Sequence, residues 1–443
     1  MGMKKTFKKK IFILLLLILP GINLSYSQVK IGVAIPLMTN SSDASEKKTG
    51  EQMLRGINDA LEEYKKNKPA ITVTITAEDT KKDQSATLDI LNRFGSDNTV
   101  IAVLGPIFSS ELINNAGAAV FHKMPVISPT ATVNFLAQNN PYVFQLNPTY
   151  DIRGRVMAKF AMKEMGMKNF IILSEDTYGK NYAESFKNEV EKNKGTIEGT
   201  EFYIKDSFPL TAQFESIKST IFSKDKFIDF GNLTANQSDK LKKSVLRFSN
   251  FDSLFTGKLI VSIYKLFGKN ADTVMDSLKI YPSPVLSNSG SIIPGYIDAL
   301  YITVSNYNDI SKICEEYYSS GINLPLLGSS DWNNEKTLTD NKKFIRELYF
   351  DSDFYLADKD DKTGLSESDI RNYYFGYDGM KLILDKISEK NITREDINES
   401  LENLRNYTAM HNRIDMKERT NQNLQIMSFR DGKLSKLRDY ETE

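Results

Sequence analysis

The stretch VIAVLGPIFSSELINNAGAAVFHKMPVISPTAT, residues 100–132, decides how this chain folds. Its first five residues, Val100–Leu104, are a short and wholly apolar run, which reads as a strand buried on both faces. From Ser110 to Val120 the apolar positions recur at helical spacing, and Pro125-Val126-Ile127-Ser128 is again a short apolar strand. Strand, helix, strand in this order predicts parallel pairing with the helix laid across a sheet face. Ligands of such sheets sit beyond the carboxyl ends of the strands. Ser109-Ser110 and Ser128-Pro129-Thr130-Ala131-Thr132 stand at those ends.

The alternation continues in both directions. Upstream, VKIGVAIPL (29–37) reads as a strand, residues 49–64 as a helix with Met53, Leu54, Ile57, Ala60 and Leu61 on one face, AITVTITA (70–77) as a strand and residues 84–94 as a helix. A second series begins near Asn147, with strands at 170–174 and 199–203 and helices at 181–192 and 214–221. Its next strand is delayed until YIDALYITV (296–304), so residues from about 224 to 293 read as an insert holding a helix at 251–267 and a Pro- and Ser-containing loop at 281–291. A helix at 309–319, a strand at 324–327, a helix at 377–387 and two strands at 424–429 and 433–437, joined by Asp431-Gly432, complete the pattern. The fold class is α/β, with parallel sheets in two Rossmann-like lobes.

A chain of 443 residues exceeds one ordinary core, in keeping with two lobes. The formal net charge is zero, but five lysines (Lys4, Lys5, Lys8, Lys9 and Lys10) precede the apolar run 11–19; without them 52 basic residues face 57 acidic ones. Nothing in that balance attracts nucleic acid or an anionic membrane. The basic start, the short apolar run and the small residues Ser25 and Ser27 read as a signal peptide over residues 1–27, cleaved before Gln28, so the chain is expected in the periplasm or outside the cell. The one cysteine, Cys314, has no intramolecular disulfide partner and reads as a helix packing residue. Two histidines, His122 and His411, lie in unrelated segments, and neither a zinc cluster, a Ser-His-Asp set nor a phosphate loop is discernible. No catalytic residue, metal ligand or cofactor site is therefore assigned, and the chain reads as a binder and not an enzyme.

KIGVAIPL, QMLRGINDALEEY (52–64), Glu78-Asp79-Thr80 followed by Ala86, VIAVLGPIFSS with MPVISPTAT, EDTYGKNYAESF (175–186), GYIDALYI (295–302) with GINLPLLGSSDW (321–332), and YFGYDGMKLIL (374–384) together resemble, in order and spacing, the leucine/isoleucine/valine-binding proteins of the type 1 periplasmic binding family. The resemblance spans nearly all of residues 29–437 except the insert. It implies two lobes joined by a three-strand hinge that close over a small molecule. Lobe 1 is expected from residues 28–147 and about 354–412, and lobe 2 from 148–353 and about 413–440. It also implies a monomer that delivers an amino acid to the permease of a membrane ABC transporter; a sensory or regulatory module of the cell envelope is the alternative that the insert suggests.

The resemblance assigns the ligand's α-carboxylate to Ser109, to Thr130 through its backbone and to Thr132 through its hydroxyl, and turns Tyr178 towards the cleft. Ser110 adds a hydroxyl at a helix N-terminus, where an anion is favoured; plain capping would use the same serines. The family's ammonium-binding acid falls on Ser330, one position before Asp331, so Asp331 either takes that role by a one-residue shift or caps a following helix. Trp332 either lines a side-chain pocket or packs in the core. Ser305-Asn306-Tyr307 is a further candidate. The first loop, Met38-Thr39-Asn40-Ser41-Ser42-Asp43, departs from the family's small-residue turn, and its ligand contact is not carried over.

Overall fold

The computed structural model describes residues 28–67, 71–245, 258–283, 290–356, 364–388 and 392–441; the signal-peptide reading of 1–27 and most of the loop at 281–291 lie outside them. The segment that opened the sequence analysis forms the strand Val100–Leu104, the helix Ser109–Phe121 and the strand Val126–Ser128. Both strands belong to a seven-stranded sheet whose neighbours run, in order, Met416–Lys417, Thr420–Asn421, Val143–Gln145, Val126–Ser128, Val100–Leu104, Gln28–Ile35 and Thr72–Asp79. All its pairings are parallel except the first, a tight hairpin. The expected strands are apolar for the reason given above: Val100–Leu104 is buried at every position.

A second seven-stranded sheet has the order Lys433–Glu441, Asn423–Arg430, Glu347–Ser352, Leu326–Gly328, Ala299–Thr303, Asn169–Glu175 and Thr196–Tyr203. Its first two pairings are antiparallel and the rest parallel. Asp431-Gly432 makes the expected hairpin, with φ of 53° and 74°, the pair of left-handed conformations that a type I′ turn requires. Three stretches of chain join the sheets: one after Gln145 into the helix Tyr150–Lys159, one after Ser352 towards the helix Glu367–Lys386, and one from Asn421 to Asn423. The parallel-sheet, two-lobed class expected from the sequence is the architecture observed. Residues 416–421, placed with the second lobe on sequence grounds, pair instead at the edge of the first sheet.

Within the insert, a helix over 251–267 is not what forms. Residues 251–257 lie outside the described part, and Leu259–Ser262 is a strand, with only Ile263–Phe267 helical. The run LIVS pairs with Phe227–Asp229 and Ser291–Ile293 in a three-stranded sheet with its own core, which includes Ile228, Leu241, Val261, Ile263 and Met275. β-Branched residues that find partners on both sides favour the strand over the helix. Cys314 is buried in the core of the second lobe, on the helix Tyr307–Ser320.

The expected helix at 377–387 begins ten residues earlier. Ser366 caps it, accepting from Asp369 N at 3.1 Å, while the Asp369 carboxylate reaches back to Ser366 N. It crosses the helix Ala44–Asn67 with backbone against backbone. A Cβ on Gly56 would stand 2.0 Å from the carbonyl oxygen of Tyr373, and one on Gly376 would stand 2.2 Å from that of Met53. Gly56→Ala or Gly376→Ala should therefore force the helices apart and lower stability by about 1–3 kcal/mol, read as a fall in urea midpoint. An unchanged midpoint in both would mean that the crossing has slack.

Candidate functional site

Between the two sheets lies a cleft of about 540 Å³, lined from the first lobe by Thr49, Ile107, Phe108, Ser109, Ser110, Thr130 and Thr132. From the second lobe come Tyr150, Arg153, Tyr178, Tyr182, Ser305, Ser330 and Asp331, and from the hinge and the helix Glu367–Lys386 come Asn147, Asp353, Ser368, Arg371, Asn372 and Phe375. Its volume falls within the ordinary range for small-molecule sites.

Six of the seven residues selected from the sequence meet here: Ser109, Ser110, Thr130, Thr132, Tyr178 and Asp331. The serines open the helix Ser109–Phe121, but they do not cap it. Glu111 does that work, its buried carboxylate accepting Phe108 N–H at 3.2 Å, which leaves the hydroxyls for other tasks. Ser109 Oγ accepts the Thr132 N–H at 3.2 Å and so ties the two loop ends together. Thr130 spends its hydroxyl on the carbonyl of Ile107 at 2.6 Å; no described residue accepts its backbone N–H. Tyr178 is 63% exposed, its ring 6.3 Å from that of Tyr150.

Asp331 is not a helix cap. The helix that follows, Glu335–Asp340, is capped by Asn334, which accepts from Thr337 N at 2.9 Å. The Asp331 carboxylate accepts no hydrogen bond from any described residue. The residue is exposed to the cleft. Desolvation by the protein packed around its carboxyl, together with the negative charges of Asp351 and Asp353, pushes that carboxyl up to about 6 against the pull of Arg371 and Arg153. Trp332 lies elsewhere: it is fully buried in the second lobe's core, its indole N–H donating to the Ile302 carbonyl at 3.0 Å. The pocket-lining reading of Trp332 is therefore overturned: the short helical turn Ser330–Trp332 presents Ser330 and Asp331 to the cleft and turns Trp332 into the core. Ser305 reaches the cleft; Asn306 caps the next helix instead, accepting from Asn308 N at 3.1 Å. The first loop is held by Asp79, which accepts from Met38 N at 3.0 Å and Thr39 N at 2.8 Å, and residues 38–43 stay out of the lining.

Sequence reasoning missed the group at the centre. Arg153, 1% exposed, donates to Asp351 at 3.0 Å, to Asp353 at 2.8 Å, to the carbonyl of Pro148 at 3.0 Å, and to Asn147 and Ser330. Asp353 also pairs with Arg371 from the helix Glu367–Lys386. Burial alone would raise the Asp353 carboxyl; Arg371 and Arg153 outweigh it and hold the group at about 2. The position that the family resemblance gave to the ammonium-binding acid, Ser330, is thus a hydroxyl locked between Arg153 and Asp351. Among the described residues no cluster of three or more metal-ligating side chains occurs, and no helix is long and apolar enough to cross a membrane.

Two seven-stranded α/β lobes joined by three hinge connections enclose a cleft at the strands' carboxyl ends. Residues 28–219 match the sequence model of the family described as periplasmic binding protein, and the chain has that family's type 1 fold. No curated protein matches the chain in sequence. Among solved structures it is similar to a leucine-binding protein from Thermotoga maritima, 18% identical over 93% of this chain and 99% of that one, with a TM-score of 0.57. A branched-chain amino-acid ABC transporter protein from Rhodospirillum rubrum, described as putative, is 16% identical over 93% and 100%, with a TM-score of 0.65. A solute-binding protein of an ABC transporter from R. palustris, solved with 4-hydroxybenzoate, is 13% identical over 94% and 97%, with a TM-score of 0.58.

Replacing Arg153 by methionine should leave Asp351 and Asp353 facing one another with only Arg371 between them and the solvent. The expected loss is about 3–5 kcal/mol of stability near neutral pH, measured by denaturant unfolding. Because Asp353 is held below its ordinary value, its contribution is present above pH 3.8 and fades as the pH falls towards 2. The gap between Arg153→Met and the parent should narrow over that same interval.

Proposed function

We propose that this chain is an exported solute-binding protein that captures an amino acid, of the branched-chain set or related to it, by closure of its two lobes, and hands it to the permease of an ABC transporter. The observation that carries the reading is the meeting in one cleft of the Ser109, Ser110 and Thr132 hydroxyls and the unaccepted Thr130 N–H on one lobe with a carboxylate that accepts no hydrogen bond from any described residue, Asp331, on the other. An α-amino acid presents the complement of that pair. Its carboxylate would lie against Ser109, Ser110, the Thr130 N–H and Thr132 at the start of the helix Ser109–Phe121. Its ammonium would meet Asp331 in a charge-assisted bond. Tyr178, exposed at the mouth, would then cover the ligand as the lobes close.

The mechanism is capture by population shift: the ligand binds the open cleft through the first lobe, and its contacts with the second stabilise the closed form that a transporter recognises. The family match and the transporter-associated neighbours support the periplasm as the working place. Neighbours that bind both amino acids and a benzoate support the class of small carboxylate ligands more than any one member of it. The added three-stranded sheet of the insert favours one alternative, a sensory or regulatory module that closes in the same way but contacts a receptor. Capture of an envelope protein that depends on that sheet would distinguish it from a transport binder.

Thermal unfolding of the refolded, ligand-stripped chain against amino acids and organic acids is the primary test. A true ligand at ~100 times its dissociation constant adds about 2.7 kcal/mol, whereas a flat response across all amino acids rejects the reading. Ser109→Ala and Thr132→Ala should each weaken binding by about 1–3 kcal/mol. Since the free Asp331 carboxyl sits at about 6, affinity for a zwitterion should be level above that pH and fall below it by about tenfold per unit. In Asp331→Asn that pH dependence should vanish, as titration calorimetry would record.

A further inference from the structure

Ser368, Arg371, Asn372 and Phe375 are spaced by three, four and seven positions and so share one face of the helix Glu367–Lys386. All four line the cleft, and Thr49 joins them from the neighbouring helix. Apart from the Phe375 ring, this wall is polar, and most of its polar groups have no protein partner. The Ser368 and Thr49 hydroxyls and the Asn372 amide make no hydrogen bond with any described residue, and Arg371, though paired with Asp353, keeps a buried Nε without a partner. A hydrocarbon side chain laid against it would touch Phe375 but strip water from these groups and supply no hydrogen bond in return.

The charges narrow the choice further. Arg153 and Arg371 are answered by Asp351 and Asp353, with Asp353 shared between the two guanidinium groups. Among the described residues lining the cleft, Asp331 is left as the one charge without an ion-pair partner, which an α-ammonium would balance. A second carboxylate on the ligand would meet only an arginine already engaged by Asp353. An amide or hydroxyl needs no counter-charge, yet can accept from the Asn372 amide N–H and donate to the side-chain oxygens of Asn372 and Ser368.

We infer that the polar face of the helix Glu367–Lys386 selects, among amino acids, those whose side chain ends in an uncharged hydrogen-bonding group, an amide or a hydroxyl, in preference to bare hydrocarbon. The inference rests on the amino-acid reading above and, within it, favours related polar amino acids over the branched-chain set. Titration calorimetry of the ligand-stripped chain with glutamine, asparagine, serine, threonine, leucine, isoleucine, valine, glutamate and aspartate tests it. The expected result is that at least one amide or hydroxyl amino acid binds about tenfold or more tighter than leucine, isoleucine and valine. Asn372→Leu and Ser368→Val lie outside the Arg153 ion-pair network, and each should cut that preference several-fold. Ser109→Ala, by contrast, should weaken every amino acid alike. A branched-chain amino acid that matches the best polar one, or a preference unchanged in both wall variants, overturns the inference and leaves the amino-acid reading standing. Tightest binding by glutamate or aspartate overturns the uncharged clause and with it the inference. Failure of every amino acid to bind a chain with intact circular dichroism rejects both.

Discussion

The buried guanidinium of Arg153 is the constraint on which the rest of this molecule depends. It stands where the chain leaves the first sheet, and it gathers Asn147 and the Pro148 carbonyl from that crossing, Ser330 from the second lobe, and Asp351 and Asp353 from the second crossing. An unpaired cation in such a place would be prohibitive. The network therefore fixes the relation of two hinge connections to the floor of the cleft. Arg371 extends it to the helix Glu367–Lys386, so one chain of ion pairs runs from the second lobe into the first. The result is a floor whose charges are settled among themselves, above which Asp331 remains available.

Much of the fold was legible because its signals are local. Val100–Leu104 is too short and too apolar to be anything but a buried strand, and Asp431-Gly432 names its own turn. The candidate site was legible to the extent that strand ends are: Ser109, Thr130 and Thr132 follow strands directly, so topology alone brings them together. Trp332 went astray because an aromatic residue beside a cleft-facing acid has the same sequence appearance whether it points in or out; the backbone of a short helical turn made the choice.

What stayed hidden was non-local or masked. Arg153 lies in YDIRGRVMAK, where either arginine of the helix reads as a solvated residue; its partners Asp351 and Asp353 are about 200 positions away, and no local pattern announces them. The polar face of the helix Glu367–Lys386 was lost for another reason. RNYYFGYDG mixes bulky aromatic residues with two glycines, which blurs helical periodicity and moves the apparent start to Tyr377. The available signal was Ser366 three residues before Asp369, a reciprocal cap that fixes the true start and with it the register of Ser368, Arg371, Asn372 and Phe375. Leu259–Ser262 shows the opposite case, in which neighbouring strands converted an apolar run of undecided character.

The glycine crossing of the helices Ala44–Asn67 and Glu367–Lys386 has a consequence for how this cleft can evolve. With main chain resting on main chain at Gly56 and Gly376, the two helices form a single slab with no side-chain cushion at their point of closest approach. Such a slab cannot adapt its shape to successive ligands by small repacking. Changes of taste must come from exchanging the side chains displayed on its surface, one at a time, while the scaffold beneath stays still. A lineage carrying this junction would diversify in what it recognises by repainting a wall and not by rebuilding it.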